Sequence, residues 1–111
     1  MTLSNRMKSE LREAAEDLTG YLWRLSQNPT SVRVDIKNAI TGVCEGEDTR
    51  QSYATRGLEG PDEKRAPLQQ FHDAMVRADA LPTNDAERQA VIDFVMMATD
   101  QTLGRFGSSD N

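Results

Sequence analysis

Two side chains in this sequence could do chemistry without outside help: His72, in QQFHDAMVRAD, and Cys44, at the end of ITGVC. An imidazole can take up a phosphoryl group or move a proton, and a thiolate can attack an electrophile. Each is the single residue of its type. A lone cysteine excludes a disulfide within the chain and an all-cysteine metal site within one chain. Cys44 closes a predicted helix and is followed by Glu45, Gly46, Glu47 and Asp48. A thiolate is favoured by a helix N-terminus or a nearby cation, and this setting is the reverse, so an inert, partly buried thiol is expected. No spacing supports a Cys–His nucleophile pair.

His72 carries the sharper chemical reading. Histidine phosphotransfer domains are four-helix bundles with one exposed helical histidine, usually followed closely by a lysine and a glycine. Here the following residues are Asp-Ala-Met-Val, and the Asp73 carboxylate repels a phosphate. A histidine at the edge of the core is therefore the favoured reading, with a phosphotransfer-like or other small catalytic role through His72 as the alternative. Carboxylates are plentiful, and Glu13, Glu16 and Asp17 share a helix face, as do Asp93 and Asp100. A di-iron carboxylate bundle needs Glu-x-x-His on two helices, which one histidine cannot supply. GEDT and GPDE lack the alternating oxygen ligands of a calcium loop. Gly42, Gly46, Gly57 and Gly60 match neither phosphate-binding fingerprint. These carboxylates read as solvated faces. The expectation is a non-enzyme with no cofactor and no metal.

The elements that position these residues read as helices. Met7, Leu11, Ala14, Leu18, Tyr21 and Leu25 recur in steps of four and three over 3–27, an apolar seam widened by Ala15 and Leu22. Ser4 suits its cap, and Pro29 ends it by disfavouring the α conformation at Asn28. A second helix is expected over 31–44, capped by Thr30 or Ser31 and burying Val32, Ile36, Ala39, Ile40 and Val43. The alternation VRVDI also fits a strand, but the chain offers no partner strand. A third helix begins at Asp62 or, by the preference of proline for the first turn, at Pro67 and runs to residue 80. Its core face is Leu68, Phe71, Met75 and Ala78. A fourth spans 85–103, with capping-box spacing at Asn84 and Glu87, and is apolar nearly all round. Gly104 supplies a left-handed stop. The resulting expectation is an all-α, irregular four-helix bundle: one domain over 1–104, a flexible tail over 105–111, and a long polar loop with room for a short helix over 48–56.

That polar loop, 45–66, is longer than connections in compact domains usually are. Trp23 suggests what it does. It points about 140–160° away from Leu18 and Leu25 at 100° per residue, on a second face that also holds Glu16, Thr19 and Gly20. A mid-helix glycine beside a tryptophan makes a shelf on which something docks. Either Tyr53 or Leu58 of the loop covers Trp23, or Trp23 anchors a partner. The expected partner-binding set is Trp23, Gly20, Thr19, Arg50, Tyr53, Arg56 and Leu58. The seam residues Met7, Leu11, Leu18 and Leu25 are expected to pair with their copies in a homodimer.

The chain has 111 residues and a net charge of −5, with no Lys/Arg cluster to release counterions from nucleic acid. Nucleic-acid partners are disfavoured, leaving a helical DNA-binding regulator as a further alternative only. The N-terminus lacks the apolar region of a signal peptide, and no apolar run approaches membrane-spanning length. These features predict a cytoplasmic protein that engages neither membrane nor nucleic acid. The functional expectation is a small regulator, inhibitor or immunity-type protein that docks on another protein.

Overall fold

A computed structural model describes residues 3–45, 62–79 and 81–107 of the chain. Among these residues the fold is all-α: α1 (Asn5–Ser26), α2 (Pro29–Cys44), α3 (Asp62–Arg77) and α4 (Asp85–Gly107). The segment VRVDI is helical. The expected short helix over 48–56 lies outside the described residues.

Local chemistry sets most of the boundaries. The Ser4 hydroxyl accepts a hydrogen bond from the Met7 N–H at 3.1 Å, satisfying one of the donors orphaned at the start of α1. Gln27 then turns left-handed (φ 51°), and its N–H closes onto the Trp23 carbonyl. Pro29 stops α1, as expected, but it also opens α2. Asn28 is the cap, its side-chain oxygen accepting from the Ser31 N–H at 3.1 Å, and Pro29 stands at the first helical position. A proline there gives up only an N–H that has no helical partner. The cap is thus Asn28 rather than Thr30 or Ser31. At the start of α4, Asn84 accepts from the Glu87 N–H at 2.9 Å. Glu87 reaches back to accept from the Thr83 N–H, also at 2.9 Å. This is a capping box shifted by one residue on its return arm.

Two expected boundaries move. Helix α3 starts at Asp62, so Pro67 lies in its second turn rather than opening it, and the helix ends at Arg77 before Asp79 adopts φ 57°. Helix α4 does not stop at Gly104. It continues through Gly107, so residues 105–107 are its last turn and not a tail. Contacts made by Arg105 and Phe106 hold that turn against α1, and this outweighs the tendency of Gly104 to end a helix.

The core is continuous across all four helices. Leu11, Ala15 and Leu18 of α1 meet Val32, Ile36 and Ile40 of α2, Phe71 and Met75 of α3, and Val91 and Val95 of α4. The stripe expected for α2 is buried throughout. Helices α1 and α2 touch each other, and each packs against both α3 and α4, which take opposite sides of that central pair.

Side-chain pairings fix the directions. Arg12 donates to Gln101 and Arg105 to Glu16, so α1 and α4 run parallel. Arg33 pairs with Asp100, whereas Cys44 feels the charge of Arg88, so α2 runs antiparallel to α4. Arg77 pairs with Glu10, while Gln70 and Asp73 share a cleft with Glu13 and Asp17, so α3 runs antiparallel to α1. The order is therefore up, down, down, up. Because α2 and α3 run the same way, the chain between Glu45 and Asp62 has to return the length of the bundle. A 16-residue helix such as α2 is about 24 Å long. Residues 46–61 reach well beyond that at about 3.3 Å each. A connection able to span that distance is thus a topological requirement, and the length of the polar segment exceeds it.

Gly104 offers a direct check. A β-carbon there would meet nothing within 4 Å, and the residue is helical. Gly104→Ala is expected to stabilise the protein by up to about 1 kcal/mol in urea unfolding. At a left-handed stop the same substitution would destabilise it.

Candidate functional site

The second face of α1 is occupied by α4. Trp23 is half-buried and stacks on Phe106, with ring centroids 5.8 Å apart and planes 7° from parallel. Thr19 is fully buried, and its hydroxyl has no hydrogen-bond partner among the described residues. Glu16 accepts from Arg105 at 2.8 Å. A β-carbon on Gly20 would lie 3.9 Å from Phe106 Cζ, which is ordinary contact. Trp23 is thus a docking point, as its position on the helix implies, and the last turn of α4 is what docks there. Thr19 is closed to a partner, and Gly20 lies beneath Phe106. Arg50, Tyr53, Arg56 and Leu58, with the proposed cover over Trp23, lie outside the described residues.

The expected dimer seam is the core of the bundle. Met7, Leu11 and Leu18 are buried against the other helices, so a second copy cannot reach them while the bundle is intact. Leu25 is on the same side of the helix but 64% exposed. The two groups should separate in a stability assay. Leu18→Ala is expected to cost about 2–5 kcal/mol by emptying a core site, and Leu25→Ala less than about 0.5 kcal/mol. Equal, concentration-dependent losses would restore the dimer seam.

The candidate chemical residues are not brought together. His72 lies half-exposed on α3, its Nδ1 3.8 Å from an oxygen of Asp73, the carboxylate that disfavours a phosphoryl group there. Cys44 is buried at the far end of α2. Desolvation pushes its thiol up from the ordinary 9.0 to about 11; the Arg88 charge opposes this and Glu45 adds to it. No group of three or more His, Cys, Asp or Glu side chains among the described residues is arranged to hold a metal ion. The carboxylate of Glu16 is taken up by Arg105, and that of Asp100 by Arg33. The cleft between α1 and α3 is lined by Glu13, Ala14, Asp17, Gln70, Asp73 and Arg77, and it is polar throughout except for Ala14.

A different surface combines apolar and charged groups. Between α2 and α4 runs an open groove of about 300 Å³. Val34, Ile92 and Met96 supply its apolar lining, and Thr30, Arg33, Lys37, Gln89 and Asp93 its polar edges. Val34 is 51% exposed. Arg33 grips Asp100 with two guanidinium nitrogens, at 2.6 and 3.4 Å, and Gln89 donates to Asp93 at 2.8 Å. These bonds tie down most of the rim. Lys37 is exposed and has no carboxylate in ion-pair reach among the described residues. The sequence does carry a trace of this groove. The strand-like alternation VRVDI marks a helix apolar on two sides, with Val34 about 160–200° from Val32 and Ile36 at 100° per residue. Ile92 and Met96 belong to the apolar run of α4, beside the face formed by Val91, Phe94, Val95 and Ala98, in the helix whose sequence reads as the most buried element. They are only half-buried.

No protein-family model, curated protein or solved structure matches the chain. Among the described residues, no helix is long and apolar enough to cross a membrane.

The raised Cys44 thiol has a measurable consequence. Below about pH 9 the thiol is protonated both folded and unfolded, and it adds no pH dependence. Between 9.0 and about 11 the unfolded chain releases a proton that the folded protein keeps, so stability falls as pH rises. Urea unfolding between about pH 8 and pH 10.5 is expected to show this as a slope on the order of 1 kcal/mol per pH unit. The slope should be shallower in Cys44→Ala.

Proposed function

We propose that this protein is a small non-enzymatic regulator that acts by docking on another protein, and that the α2–α4 groove is its docking surface. The observation that carries the reading is the groove's composition. An apolar strip of Val34, Ile92 and Met96 sits between polar edges, the pattern of an interface core with its rim. Methionine at such a position adapts its shape to what it meets. The rigid packing of α2 and α4 on the core presents both walls already formed. Among the described residues, burial keeps the Cys44 thiol protonated despite the Arg88 charge, and Asp73 stands beside His72, which favours recognition over catalysis. An inhibitor or immunity-type protein, which works by occupying a surface on its target, is the form of regulator that this geometry suits.

Val34 and Val76 make a matched pair for a test. Both are exposed valines on helices, at 51% and 54%, but Val34 lines the groove and Val76 lies on α3 away from it. Each can be changed to glutamate with an effect on stability within about 0.5 kcal/mol. A binding partner captured by the wild type is expected to be retained by Val76→Glu and lost, by at least about ten-fold in affinity, by Val34→Glu. Retention by both variants would place the interface elsewhere.

A further inference from the structure

From the unpaired cation on its α2 edge, we infer that the groove selects a partner helix whose apolar anchors are flanked by carboxylates on the side that faces α2. The inference rests on the groove being the docking surface. The groove is bounded on both sides by helix walls two turns long, Thr30 to Lys37 and Gln89 to Met96. Each wall is about 12 Å long. A segment seated there contacts both walls along about two turns, which is the span of anchors at i and i+3 or i+4 on one helix face.

The charge on the rim then decides the flank. On the α2 wall Arg33 is neutralised by Asp100; on the α4 wall Asp93 accepts from the neutral Gln89 amide and keeps its negative charge, so the two edges differ in sign. Lys37 stands one turn from Arg33 on the same wall, and its ammonium has no partner among the described residues. An acidic side chain beside the anchors would complete an ion pair over partly desolvated surface. A basic one on that side would meet Lys37, and like charges across an interface are penalised. The groove edge on α2 is therefore locally cationic in a protein of net charge −5. Its preference for acidic segments runs against the protein's overall charge, so it has to act at short range. It is expected to weaken as salt is raised.

The test uses two capped helical peptides of about three turns, each with leucines at i and i+4, one flanked by glutamates and the other by lysines. Titrations followed by amide chemical shifts at low ionic strength are expected to move Val34, Lys37, Ile92 and Met96. The glutamate peptide should bind roughly two- to five-fold more tightly, as expected for one exposed ion pair. In Lys37→Glu the preference should reverse. Groove shifts with no charge preference, or a preference unchanged in Lys37→Glu, would overturn the selectivity while leaving the groove as a docking surface. Shifts confined to other surfaces would remove the groove itself. Concentration-dependent groove shifts without peptide would assign it to a second copy of the chain and overturn the inference.

Discussion

Helix α1 has to bury two faces at once, and the bundle is arranged around that requirement. One face carries Met7, Leu11, Ala14 and Leu18; the other carries Thr19 and Trp23. A single neighbouring helix covers roughly a third of a helix surface, so two faces this far apart call for neighbours on both sides. Helix α3 closes one side through Phe71 and Met75, and α4 closes the other through Val95, Leu103 and Phe106. Helix α2 fills the space between them. With one cysteine the chain cannot staple this core with a disulfide of its own, and 111 residues are enough to bury one without it.

Electrostatics sharpen this packing without dominating it. Among the described residues, three inter-helix pairs lie on the surface: Glu10–Arg77 between α1 and α3, Glu16–Arg105 between α1 and α4, and Arg33–Asp100 between α2 and α4. Each contributes little to stability, because solvent screens exposed pairs. Their value is in register. All three use arginine, whose fork fixes geometry where lysine supplies only a mobile charge. Arg12 adds a further constraint, lying over the Phe94 ring at 5.2 Å while donating to Gln101. Sliding α4 along α1 by one turn would break the Arg12 and Arg105 contacts together.

Much of this was legible in the sequence because it is local. The 3.6-residue stripes, the Ser4 cap and the Asn84–Glu87 pair depend on residues a few positions apart. What could not be read depends on distance. Leu25 has the right phase for the core yet is exposed, and phase along one helix does not show where the neighbouring helices cover it. The helical wheel shows that α1 has a second face, but nothing local shows that Phe106, far along the chain, would cover it. Gly104 looks like a stop because glycine favours helix ends, and only the tertiary contacts of the next turn carry the helix past it. The groove was hidden for a related reason. Half-burial of Ile92 and Met96 is set by the gap between two helices, and an apolar run of sequence does not distinguish half-burial from full burial.

The parallel course of α2 and α3 separates two roles that short loops normally combine. A tight turn between antiparallel helices sets their angle as well as joining them. A crossover sets only a minimum reach, and here the chain exceeds it. The entropy of closing such a loop grows only with the logarithm of its length. Lengthening it by several residues changes stability by a few tenths of a kcal/mol, while the core between α2 and α3 keeps its register. Within this bundle, the span from 46 to 61 is where the chain can absorb insertions, including a new recognition element, without renegotiating the fold.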